Sequence, residues 1–237
     1  MRGYEASGLG QRVRFLRETH FGRCGARVLN ELSNHAKAAG TEWGLSAGLK
    51  HGLEWLLTYL PQAPPRKIKS WDEGNPVLIF TDGANEPGAV TIGGVLLERG
   101  SHPEYFGEKV PDVIVERWRK EGGHQIIGQA ELLPIQVAAD TWEARLRGRL
   151  SIWFADQDAA RRGMIRGYSP AARSSNIIDE ASELLAKAET YPWFARVASG
   201  SNPADPPSRL NFEETEEVLP GAVRLRIDWA RWGGELV

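Results

Sequence analysis

Leu45, Leu49, Leu53, Leu56 and Leu60 recur at four- and three-residue steps, with Trp55, Leu57 and Tyr59 widening the stripe. That spacing stacks apolar side chains on one side of an α-helix. Val28, Leu29 and Leu32 make a shorter apolar patch upstream, so residues 1–70 read as a helical segment. Pro61 must end the leucine helix, because an interior proline removes a hydrogen bond and clashes with the preceding turn. The run Pro61-Gln62-Ala63-Pro64-Pro65-Arg66-Lys67 is a stiff, extended connector, and a domain boundary is expected there.

The period then changes. Val77-Leu78-Ile79-Phe80-Thr81-Asp82 is a continuous β-prone run, the pattern of a strand buried on both faces. Gly83, Pro87 and Gly88 signal a turn, and Val90–Glu98 and Glu104–Val110 give two more strands of an antiparallel meander. Leu132, Leu133, Ile135, Val137, Ala138, Trp142 and Leu146 then form a broad helical face that Gly148 stops. A buried strand follows over Leu150–Ala155, then helices over Asp158–Arg166 and Ile177–Glu189, and a last strand over Trp193–Ser199. The order β-β-β-α-β-α-α-β-α predicts a mixed α/β sheet with helices on its faces, spanning residues 71–210. The tail, residues 211–237, holds four Glu near its start and later Trp229 and Trp232, and its pattern assigns it no element.

Apolar residues make up 41% of the 237 and charged residues 25%, the balance of a globular chain with a sizeable core. The longest mostly apolar run, Gly88–Leu97, is too short to span a bilayer, and the start lacks the apolar stretch of a secretory signal. The single cysteine, Cys24, rules out an internal disulfide or a thiolate zinc cluster and fits a reducing compartment, so an intracellular setting, cytoplasm or nucleus, is expected. The net charge of −2 divides into +6 over residues 1–70 and −8 over the rest. A basic arm of this kind either follows a nucleic-acid backbone or is a solvated helical face.

Three carboxylates share one kind of address. Asp82 ends a buried strand, Asp156 ends another, and Asp205 follows the last strand, while Glu131 opens the helix between the third and fourth strands. Functional groups of α/β sheets gather outside the carboxyl ends of parallel strands. Four carboxylates brought together repel strongly unless cations neutralise them, and an all-oxygen set suits Mg²⁺ or Mn²⁺ rather than zinc. Singly, each has an ordinary reading: a turn-forming Asp, a Glu favoured by the helix dipole, an Asp capping a helix before Pro206. Asp140, Glu143, Asp158 and Asp179 read as solvent-facing carboxylates.

The set as a whole resembles the ribonuclease H family, and more narrowly the ribonuclease H domains of retroelement reverse transcriptases. The matching pieces are Thr81-Asp82-Gly83-Ala84, Gly93-Gly94-Val95-Leu96, Glu131-Leu132-Leu133 leading to Ala138 and Trp142, and Phe154-Ala155-Asp156. Asn202-Pro203-Ala204-Asp205-Pro206-Pro207-Ser208-Arg209, with Trp193-Phe194-Ala195-Arg196-Val197 ahead of it, carries the likeness to retroelements. The resemblance implies a ribonuclease H-like five-stranded sheet in the order 3-2-1-4-5, with strands 1–3 antiparallel and helices on both faces. It implies two Mg²⁺ ions (or Mn²⁺) held by Asp82, Glu131, Asp156 and Asp205, with Asp82 bridging both and Glu131 near the RNA 2′-hydroxyl. The implied activity is hydrolysis of the RNA strand of an RNA–DNA hybrid. Residues 1–68 resemble more loosely the thumb and connection preceding such domains, through the Phe21-Gly22-Arg23 turn, the leucine stripe and Pro64-Pro65-Arg66. The expected partners are therefore the hybrid and the remainder of a reverse transcriptase polyprotein, with no membrane.

Some features depart from this pattern. All five His precede Asp156, so the mobile His that many cellular members carry before the fourth carboxylate has no counterpart. Pro134 requires the Glu131 helix to start near residues 129–131 or to bend there. Asp205 is expected to cap the last helix through the Ser208 amide. Arg161, Arg162, Arg166 and Arg209 are the candidate phosphate contacts, the alternative being a solvated helix face. Two rival functions keep the fold: a catalytically inactive structural or binding module of a degenerate element, and another nuclease of the same architecture. Proofreading exonucleases usually begin Asp-x-Glu, whereas this strand reads Asp82-Gly83-Ala84.

Overall fold

The computed structural model describes residues 3–19, 24–38, 44–67, 74–86, 88–122 and 126–232. The Phe21-Gly22-Arg23 turn and Pro87 lie outside these. Three helices come first: α1 (Gly3–Thr19), α2 (Ala26–Ala38) and α3 (Ala47–Tyr59). They close on a small core of Ala6, Val13, Val28, Leu32, Leu49 and Leu56. Ser46 starts α3 by accepting a hydrogen bond from the Leu49 amide at 3.1 Å, and a turn of 3-10 helix over Leu60–Gln62 ends it at Pro61 as expected.

The sheet is built from β1 (Val77–Glu86), β2 (Ala89–Leu97), β3 (Glu104–Lys109), β4 (Leu150–Ala155), β5 (Tyr191–Arg196) and β6 (Val223–Arg224), in the order β5-β4-β1-β2-β3-β6. β1, β2 and β3 pair antiparallel, and β4 runs parallel to both β1 and β5. The expected five-strand order is therefore present. The tail adds a sixth strand at the open edge of β3, and α10 (Phe212–Val218) precedes it. Arg224 lies 3.4 Å from the centroid of the Phe212 ring, and Trp229 and Trp232 pack on the main core. These tail contacts are non-local, which is why its local pattern gave no element.

Alternation along the strands separates two faces. Val77, Ile79, Ile92, Leu96, Phe106 and Trp153 point to the main core with α4 (Asp112–Gly122), α5 (Ile127–Thr141), α7 (Asp158–Arg166) and α8 (Ala172–Lys187). Phe80, Val95, Leu97 and Tyr105 point to a smaller core with Ala204, Phe212 and Leu219. Helices on both faces agree with the expectation. The helix α4 was not anticipated. Its Val113-Ile114-Val115 run is β-prone, yet Ile114, Val115 and Trp118 fall on one helical side and bury there, while Val113 is left 66% exposed.

Gly83 does not turn the chain. It continues β1 opposite Ile92, and a side-chain carbon there would lie 2.1 Å from the Ala130 carbonyl oxygen. Nor does Pro134 mark the helix start, because α5 begins at Ile127 and carries Pro134 inside it. The two corrections share a cause. A proline frees the carbonyl four residues earlier, here Ala130, and that carbonyl abuts β1 at a residue without a side chain. α5 thus approaches β1 closely just where Asp82 and Glu131 stand. The remaining short helices are α6 (Glu143–Leu146) and α9 (Asp205–Ser208).

Candidate metal centre

Asp82 shares the parity of Phe80, so it projects on the side of the sheet covered by α9. Only 5% of it is exposed. α9 reaches this depth because Asp82 pairs with Gly93, which pairs in turn with Gly107. A side-chain carbon at Gly93 would lie 2.4 Å from the Ser208 amide nitrogen, and one at Gly107 2.3 Å from the Pro207 oxygen. With both absent, the Ser208 hydroxyl donates a hydrogen bond to Asp82 Oδ2. Burial raises the Asp82 pKa; the Ser208 bond opposes the shift, while Asp156 and Asp205 add to it and Arg209 opposes it.

Asp156 follows the last residue of β4 and is the next on the Phe154 side. Its Oδ2 accepts a hydrogen bond from the Ser199 hydroxyl at 2.7 Å. Its Oδ1 is buried without a hydrogen-bond partner. An orphaned carboxylate oxygen is costly in a protein interior.

Glu131 enters from α5 beside Gly83, whose backbone N–H helps to stabilise its charge. Burial, then the charges of Asp82 and Asp156, push its pKa up to about 8. One ligand oxygen from each of Asp82, Glu131 and Asp156 lies within 4.8 Å of the others. At that spacing each ionised pair repels by roughly 3–4 kcal/mol at an effective dielectric of about 20. A divalent cation would remove that repulsion and satisfy the free Asp156 oxygen, and hard oxygen donors suit Mg²⁺ or Mn²⁺. The residues present fit such an ion.

Asp205 stands apart from that group. It is the first residue of α9, Ala204 occupies the cap position, and no side chain caps the helix. The expected cap is therefore not made: the Ser208 amide bonds the Ala204 carbonyl at 3.0 Å. Asp205 instead accepts from Arg209 Nε at 3.1 and 3.2 Å through its two oxygens. Arg209 also contacts Glu86 at 3.1 Å. Arg161 and Arg162 both pair with Asp158 at 2.9 Å, and Arg166 is exposed in the last turn of α7.

Asp179 corrects the solvent reading. Its side chain is 18% exposed and lies 3.4 Å from the Arg27 guanidinium of α2. Burial raises its pKa to about 7 against the pull of Arg27. Glu143 pairs with Arg147 and Lys187, and Asp158 is taken by the two arginines. Sequence reasoning also missed Ser199, Asn202 and Ser208 as neighbours of the carboxylates. Asn202 Nδ2 donates to the Thr81 carbonyl at 3.2 Å, and its Oδ1 accepts from the Ala204 amide at 3.2 Å. Asn202 and Ser208 flank Asp205 in one short motif, whereas Ser199 lies three residues ahead of that motif with no signal of its own.

No protein-family model and no curated protein matches the chain. Among solved structures it is similar to a ribonuclease H1 from the halophilic archaeon Halobacterium salinarum NRC-1, with a TM-score of 0.46 and 16% identity over 59% of this chain and 99% of that one. It is also similar to the N-terminal ribonuclease H domain of a Mycobacterium tuberculosis protein, a fusion with maltose binding protein, with a TM-score of 0.42 and 12% identity over 60% of this chain and 97% of that one.

Proposed function

We propose that residues 71–210 act as a divalent-metal-dependent nuclease that hydrolyses the RNA strand of RNA–DNA hybrids, as the ribonuclease H domain of a retroelement reverse transcriptase. One observation carries the reading: Asp82 from within β1, Glu131 from the second turn of α5 and Asp156 just past β4 converge within 4.8 Å. Asp82 and Asp156 offer carboxylate oxygens to the metal, and Glu131 joins them by giving up the proton that burial favours. When bound, Mg²⁺ or Mn²⁺ would activate a water and stabilise the leaving oxygen of the phosphodiester. Asp205 acts from outside the triad, through its charge on Asp82 and its grip on Arg209. Arg161, Arg162, Arg166 and Arg209 contact the hybrid's phosphates. The retroelement context is supported by the 202–209 motif, and the helices of residues 1–70 serve as the thumb and connection segment. The remainder of the reverse transcriptase is the partner.

An end-labelled RNA–DNA hybrid, incubated with the full chain in Mg²⁺, tests the proposal. Cleavage of the RNA strand is expected, abolished by EDTA and lowered more than about a hundredfold by Asp82→Asn, since loss of groups merely supporting a metal ligand already costs 10–100-fold. Duplex DNA should survive. Equal cleavage by Asp82→Asn, or none by the native chain in Mg²⁺ or Mn²⁺, would sink the reading.

A further inference from the structure

The segment between β5 and α10 touches both aspartates of the triad, Asp82 in β1 and Asp156 just past β4, in the same way. Ser199, on an exposed 3-10 turn, donates a hydrogen bond from its hydroxyl to Asp156 Oδ2 at 2.7 Å. Ser208, fully buried in α9, donates one to Asp82 Oδ2. The Ser208 hydroxyl also lies 2.8 Å from the Asp205 carbonyl oxygen. It has one proton, and the charged carboxylate is the stronger acceptor. Asn202 ties the middle of the segment to β1 at the residue before Asp82, through the Thr81 carbonyl. The Gly93–Gly107 pair leaves the room into which α9 sinks. The segment is thus fastened to the sheet at three points.

The consequence lies in what remains. Each carboxylate has one oxygen engaged by a serine, and at Asp156 the other oxygen is buried with no partner. A free carboxylate can rotate and present either oxygen, and holding it in one orientation removes that freedom before an ion arrives. We infer that residues 199–208 form a strap that selects which oxygen of Asp82 and of Asp156 faces the metal, with Ser199 and Ser208 as positioning residues. The inference rests on the metal-dependent reading above. It assigns to the 202–209 motif a second role, through Ser208 and Asn202, distinct from the charge of Asp205.

Mn²⁺ titration calorimetry on the full chain, with melting in EDTA alongside, tests it. Ser199→Ala and Ser208→Ala should each bind Mn²⁺ about tenfold more weakly, with unchanged melting in EDTA. Ser199→Thr, which keeps the hydroxyl at an exposed position, should restore the affinity. In hybrid cleavage at fixed Mn²⁺ the loss should fall on kcat, with KM for the hybrid unchanged. Native affinity in both alanine variants, while Asp82→Asn binds weakly, would overturn the strap and leave the nuclease reading standing. Weakened binding that tracks a lower melting temperature and is not rescued by threonine would mark a structural role and overturn it too. Native affinity in Asp82→Asn would place the metal elsewhere and remove both.

Discussion

Two buried acidic sites on one domain solve the same electrostatic problem differently. On α8, Asp179 is buried enough to raise its pKa to about 7. Arg27 of α2 meets it and Asn176, while the Trp55 indole of α3 donates to Glu183 further along the same side of α8. Ala186 completes that stripe against Cys24 and Tyr59. At the sheet end, Glu131 is pushed up to about 8 beside Asp82 and Asp156, and among the described residues no cationic side chain pairs with any of the three. The α8 site brings a guanidinium within the chain, and its charge docks one part of the protein on another. On the proposed reading, the triad leaves its charge to a metal ion from solution.

The largest effect that would break this contrast comes from removing the internal cation. Arg27→Ala should cost about 3 kcal/mol at pH 8, because it strands a buried carboxylate. The cost should shrink toward pH 5.5, where Asp179 takes up a proton and no longer needs its partner. Urea denaturation at the two pH values measures both. By contrast, Glu131→Gln in EDTA should unfold at the same or higher urea, since it removes a buried charge that no cationic side chain pairs with. Equal destabilisation by the two substitutions would show that the sites do not differ in kind.

The next effect is on pH. Glu131 and Asp179 both have folded pKa values raised above their ordinary ones, so each contributes stability that is complete below about pH 4 and lost as pH rises through 7 to 8. The metal-free chain should therefore melt lower at pH 9 than at pH 6. Mg²⁺ should reverse that trend, because it binds the ionised triad and displaces the Glu131 proton. Below pH 8 its affinity should fall by up to about tenfold per pH unit. Calorimetric titration between pH 6 and 8.5 measures this; a flat profile would mean that Glu131 is ionised before metal binds.

The smallest effect concerns Asp205. Its exposure and its pairing with Arg209 predict that Asp205→Asn lowers Mg²⁺-dependent cleavage only a few-fold, as expected for a partly exposed charge. Asp156→Asn should abolish it. A loss as large in Asp205→Asn would make the fourth carboxylate an equal ligand.

The chain pattern alone determined much of this. The apolar runs Val77–Phe80 and Ile152–Ala155 mark β1 and β4, because a strand buried on both faces has few polar positions. Asp82 and Asp156 are legible as the first charges after those runs, and Glu131 and Asp205 as members of an ordered set. What the tertiary structure decided is every relation across the sheet. Gly83 reads locally as a turn, and only the packing shows it admitting the carbonyl that Pro134 frees. Asp179 reads as a surface charge until α2 covers it. Ser208 reads as a residue after the motif's aspartate, yet it, not Asp205, touches Asp82. Periodicity encodes which side of an element is buried; it carries nothing about which distant element does the burying. Hydrogen bonds spanning 43 and 126 residues, from Ser199 to Asp156 and from Ser208 to Asp82, exist only once the sheet has brought those residues together.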